Sequence, residues 1–106
     1  MVFVTSSRAA SQGRAYWAPY SVSKAALEAL VGTYAAEIAK TNIRANLLNP
    51  GATRTAMRAK AFPGEDPDTL PSPEDVATAS LPLCLPSCTS NGTTYAYANG
   101  KLTEKP

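Results

Sequence analysis

The chain has 106 residues, a formal net charge of +2 and a pI near 8.6, so one small domain with its own core is expected, although a chain this short buries a modest share of its surface. Its Arg and Lys residues are dispersed rather than gathered in a block, which argues against nucleic-acid binding, and no apolar stretch approaches the roughly eighteen residues of a membrane span. No histidine is present, so Cys84 and Cys88 cannot complete the usual four-ligand zinc set. With no basic leader before the short apolar start, they read as reduced thiols of a soluble cytoplasmic protein.

Met1 to Thr5 is apolar, β-branched and aromatic and ends in Ser6-Ser7, which predicts a buried strand whose end carries the serine. Residues 8–17 hold no sustained period and read as a loop, with Tyr16 and Trp17 expected to pack as a staple before the next helix, the alternative being that they line a substrate pocket. From Pro19 the pattern turns helical, with Leu27, Leu30, Val31, Tyr34 and Ile38 at three- and four-residue steps and the proline in the first turn. The alanines at 25, 26, 29, 35, 36 and 39 add helix propensity. A second strand is expected over Ile43 to Leu48, bounded by Pro50-Gly51 and reached by a right-handed crossover.

Beyond it, Arg54, Arg58 and Lys60 form a weak basic cluster, either a solvated face or a contact to a cofactor phosphate or acidic substrate. Gly64 to Asp68 reads as a mobile acidic loop over the site. Ser72 as cap, Pro73 at the first position and Glu74-Asp75 in the first turn predict a helix to about Leu81, where Pro82 and Pro86 end it. A last strand is expected over Thr93 to Ala98, followed by Asn99-Gly100 and a polar tail. The fold class is therefore α/β, a β-α-β-α-β run that amounts to one half of a doubly wound parallel sheet.

Chemistry concentrates in Ser7, Tyr20 thirteen residues later, and Lys24 one helical turn after that. A phenol with an ordinary pKa of about 10 is a poor base near neutrality, and an ammonium one turn away favours its ionised form. Ser7 then holds a substrate oxygen beside the phenol. Tyr-x-x-x-Lys alone is a weak signal, expected by chance in roughly one chain in four of this composition.

The order of Ser6-Ser7, Tyr20-Ser21-Val22-Ser23-Lys24-Ala25-Ala26 and Asn49-Pro50-Gly51-Ala52-Thr53-Arg54-Thr55 resembles the C-terminal part of the short-chain dehydrogenase/reductase family. The run from Asn49 to Pro67 is also similar to an uncharacterised bacterial oxidoreductase subgroup. The resemblance implies an NAD- or NADP-dependent oxidoreductase that interconverts an alcohol and a carbonyl. It makes Tyr20 the acid/base, Ser7 the residue that orients the substrate oxygen, and Lys24 the group that lowers the tyrosine pKa and holds the nicotinamide ribose. It also assigns Pro50, Gly51, Thr53 and Thr55 to the cofactor, with Thr55 near the carboxamide, and implies a homo-oligomer formed through the helix of Tyr20 and Lys24.

The family's Thr-Gly-x-x-x-Gly-x-Gly phosphate turn, its NAD-versus-NADP selector after the second strand, and its catalytic asparagine on the preceding helix have no counterpart in these residues. Asn42, Asn46 and Asn49 all follow the catalytic helix. The expected domain is thus partial, lacking the dinucleotide-binding half and inactive by itself, with the alternative of a non-catalytic fragment or interaction module. A parallel strand left with one open edge is also expected to recruit another strand.

Overall fold

The computed structural model describes residues 1–5 and 15–104. Three short parallel strands form the centre: β1 (Val2–Val4), β2 (Asn46–Asn49) and β3 (Thr94–Ala98). A fourth, β4 (Lys101–Glu104), runs antiparallel to β3, and the order across the sheet is β1-β2-β3-β4. Phe3 lies opposite Leu47, and Leu47 lies opposite Thr94, so the carboxyl ends of the parallel strands point the same way.

The connection from β1 to β2 contains the long helix α1 (Ala18–Glu37), with Pro19 in its first turn. Its buried Val31 and Ala35, followed by Ile38 just past its end, are spaced to form one stripe. Val31 and Ile38 meet Ala45 and Leu47, with Phe3, Leu27 and Tyr34 packed around them. Burial of side chains the size of Val31 or Leu47 contributes about 1.5–3 kcal/mol each, so this seam holds helix to sheet. The opposite face of α1 is open, and Ala25, Ala26, Ala29, Gly32, Thr33 and Ala36 are all exposed.

After β2 come α2 (Ala56–Ala61), a 3-10 turn over Pro67–Thr69, and α3 (Pro73–Ser80), which tightens into a 3-10 turn over Leu81–Cys84. The Ser72 hydroxyl accepts the Asp75 N–H at 3.1 Å, the capping bond expected from the sequence. No helix among the described residues is long and apolar enough to cross a membrane.

Four expectations need correction. β2 begins at Asn46 rather than Ile43, because the Ile43 N–H is taken by Thr41 Oγ1 and the Ala45 N–H by Asn91 Oδ1. The polar tail is a strand: Asn99 (φ 53°) and Gly100 (φ 78°) turn the chain back in the left-handed conformation of a tight hairpin, pairing Ala98 with Lys101 and Tyr95 with Glu104. Its polar residues suit an edge strand. Tyr16 is fully exposed at φ 69°, so it staples nothing, and only Trp17 packs. Gly64 to Asp68 is tied down, with Glu65 gripped by Arg58 and the Asp66 carboxylate accepting the Asp68 N–H at 3.0 Å.

Candidate active site

β1 ends against α1 through Thr5. This residue is 1% exposed, its N–H donates to Leu48 O at 2.8 Å, and its hydroxyl donates to Glu28 Oε1 at 3.0 Å. Glu28 is therefore level with the carboxyl end of β1. Lys24 lies one turn and Tyr20 two turns earlier on the same helical row, which carries both beyond the strand ends. In open α/β sheets this is where ligands bind.

Tyr20 and Lys24 are both half-buried. The Lys24 ammonium lies 5.7 Å from the centroid of the Tyr20 ring, within the range over which a cation interacts with an aromatic face. The adjacent Ser21 hydroxyl is enclosed and has no hydrogen-bond partner among the described residues. Ser7, the third member of the expected set, lies outside the described residues. The structure thus brings together two of the three.

Trp17 links the start of α1 to the segment after β2. Its ring meets Tyr20 edge to face at 5.6 Å and Phe62 at 6.1 Å. The Arg58 guanidinium lies 3.8 Å over the Phe62 ring and grips Glu65 through two bonds of 2.8 Å, the bidentate geometry favoured by arginine and carboxylate. The Arg58 hydrogen bonds hold the Glu65 carboxyl below the ordinary carboxylate range, and the Arg58 pKa is raised in return. Sequence reasoning noted Arg58 only as part of a basic cluster; Phe62 and Glu65 carry no local signal that pairs them with it. Arg54 reaches Asp68 at 4.0 Å, with both side chains well exposed, so that pair contributes little.

The turn after β2 has the geometry its sequence requires. The Gly51 N–H donates to Asn49 Oδ1 at 3.1 Å, and Gly51 has φ 68°, a conformation glycine adopts without penalty. Thr53 Oγ1 donates to Gly51 O at 3.4 Å, while Thr55 Oγ1 accepts the Arg58 N–H at 3.1 Å and so caps α2. The bond from Arg54 N–H to Pro71 O at 2.9 Å fastens this segment to the approach of α3. Pro50, Gly51, Thr53 and Thr55 thus lie on the turn that leaves the carboxyl end of β2, while Tyr20 and Lys24 lie past the carboxyl end of β1.

Known proteins resemble this chain in both sequence and fold. The family model for short chain dehydrogenases matches residues 1–66. The chain is 50% identical over 81 residues to the uncharacterized oxidoreductase YciK of Escherichia coli K12, a match covering 76% of this chain and 30% of that protein. A solved short chain dehydrogenase from Salmonella enterica serovar Typhi superposes with a TM-score of 0.78 at 43% identity, covering 90% of this chain and 39% of that one. A structure from Escherichia coli CFT073, solved in complex with NADPH, superposes with a TM-score of 0.77 at 43% identity over the same shares, 90% and 39%. The chain therefore spans well under half the length of these relatives.

Proposed function

The chain belongs to the short chain dehydrogenase family, and from that premise we propose that it carries the catalytic segment of an NAD(P)-dependent oxidoreductase that interconverts an alcohol and a carbonyl. The supporting observation is the placement of Tyr20 and Lys24 on one row of α1, beyond the carboxyl end of β1, with the ammonium 5.7 Å from the phenol ring. In this reading Tyr20 gives a proton to the carbonyl oxygen, or takes one from the alcohol. Lys24 favours the ionised phenol by its positive charge. Ser7 hydrogen-bonds the same substrate oxygen and holds it beside the phenol.

The donors present suit one end of a dinucleotide. A lysine, a tyrosine and two threonine hydroxyls match the hydroxyls of a ribose and a carboxamide, and the left-handed turn at Gly51 leaves its backbone without a side chain in the way. Lys24 would hold the ribose, and Pro50, Gly51, Thr53 and Thr55 would border the nicotinamide, the Thr55 hydroxyl keeping a proton to donate although it accepts the α2 cap bond. When bound, the nicotinamide supplies the two-electron half of the reaction. A relative solved with NADPH supports that class of cofactor. The sequence has no glycine-rich turn to cradle the pyrophosphate, so the domain is read as partial, with the dinucleotide-binding half contributed by other residues. The exposed small-residue face of α1 is read as a homo-oligomer contact, and the free thiols of Cys84 and Cys88 suit a reducing cytoplasm.

Cofactor titration tests the reading. The native polypeptide carrying this sequence should bind NADH or NADPH saturably, whereas residues 1–106 alone should not saturate in the same range. A native polypeptide that binds neither would replace this reading with that of a non-catalytic fragment.

A further inference from the structure

We infer that Thr5 and Glu28 form a clamp that positions the proton-transfer pair, with Glu28 acting through Thr5 rather than on substrate. The inference rests on the assignment of Tyr20 and Lys24 given above. Tyr20, Lys24 and Glu28 follow one another at four-residue steps on α1, so Glu28 is the natural intrahelical partner for the Lys24 ammonium. Yet no ion pair joins them. The Glu28 carboxylate is turned to β1 instead, where it accepts the Thr5 hydroxyl at 3.0 Å, and Lys24 lies by the Tyr20 ring.

The geometry gives the clamp two effects. Thr5 is 1% exposed and its N–H is bonded to Leu48 O, so its hydroxyl is a fixed donor at the end of β1, two residues before Ser7. Pinning Glu28 there sets the registry between that strand end and the helix of Tyr20. It also withholds the carboxylate from Lys24. A freed Glu28 would draw the ammonium back along the helix, away from the phenol, and the phenol would then ionise less readily.

Among the described residues, few other charges bear on this seam. On α1 the titratable side chains of the row are Tyr20, Lys24 and Glu28. The facing strand β2 is Asn46-Leu47-Leu48-Asn49 and carries none. From α2 the cation that approaches through Phe62 and Trp17 is Arg58, already neutralised by Glu65. Among the described residues, Lys24 is therefore the group whose displacement the phenol would register.

The test is the titration of Tyr20 in the cofactor-free native polypeptide, read as the phenolate absorbance lost in Tyr20→Phe, so that turnover is not the readout. Thr5→Val removes the donor at nearly constant volume and should raise the Tyr20 midpoint above that of the wild type. Thr5→Ser should leave it unchanged, and Thr5→Val with Glu28→Leu should restore it, because no carboxylate then competes for Lys24. If Thr5→Val does not fold, Glu28→Asp serves. It is too short to hold Thr5 but still lies one turn from Lys24, and it should raise the midpoint in the same direction.

A clamp that only held the fold would leave the Tyr20 midpoint in place in every folded variant, and that result overturns the inference while leaving the proton-transfer assignment intact. If Lys24→Met also leaves the midpoint unmoved, the assignment itself fails and the clamp fails with it.

Discussion

Asn46 ties the segment before β3 to the centre of the sheet, and its replacement by alanine should be among the most damaging single changes. The residue is fully buried. Its Nδ2 donates to Ser90 O at 3.0 Å and its Oδ1 accepts the Thr93 N–H at 3.1 Å. Alanine leaves a carbonyl and an N–H without partners, each costing about 1–3 kcal/mol when fully buried. Ser90 and Thr93 are only half-buried, so water partly compensates and the lower end of that range applies to each. The expected loss is about 2–3 kcal/mol. In urea unfolding of the native polypeptide followed by circular dichroism, this lowers the midpoint by about 1–2 M. Asn42→Ala, at an exposed position, should move the midpoint little. A shift for Asn46→Ala no larger than that of the control would refute the view that this amide holds residues 90–93 to β2 and so sets the register of Leu47 opposite Thr94.

Protonation of Glu65 should release α2. Its carboxyl is held below the ordinary value of about 4.3, so the stabilisation from Arg58 is fully present above that value and is lost as pH falls through the lower folded value. Hydrogen exchange of the Phe62 amide, which donates to Arg58 O, should rise over that acidic window in the wild type and show no such step in Glu65→Gln. Gly100→Val places a β-branched side chain at φ 78° and should destabilise the β3–β4 hairpin by about 1 kcal/mol or more, visible as faster exchange of amides in Lys101–Glu104. The isolated 106-residue chain, with β1 paired on one side only among the described residues and an apolar hollow of about 300 Å³ beside it lined by Met1, Phe3, Leu30, Val31 and Tyr34, should elute from a sizing column as dimers or larger species. A monomer with a sharp cooperative thermal transition would contradict this.

Legibility in the sequence followed the range of the interaction. The Leu27, Val31, Ile38 stripe names the buried face of α1 because helical period and burial coincide there, and the cap at Ser72 is local to four residues. The helix α2 has six residues, too few to show a period, and its one sign is the Thr55 cap. In β4 solvent exposure removes the apolar alternation, and Asn99-Gly100 signals a turn without naming the strand that follows it. Tyr20 and Lys24 were legible through spacing within one helix. Glu28 was not, because its partner Thr5 is 23 residues away and no local pattern links a strand-end threonine to a mid-helix glutamate. The aromatic path from Tyr20 through Trp17 to Phe62 was hidden for the same reason.

The most direct test of the central claim is turnover of Tyr20→Phe in the native polypeptide, assayed by cofactor oxidation with a panel of small carbonyl substrates. The account predicts that kcat falls by about 10²-fold or more, the scale of a lost general acid/base, while the affinity for NADH or NADPH and the urea midpoint stay close to wild type. Turnover near the wild-type level would contradict it and remove Tyr20 from the reaction.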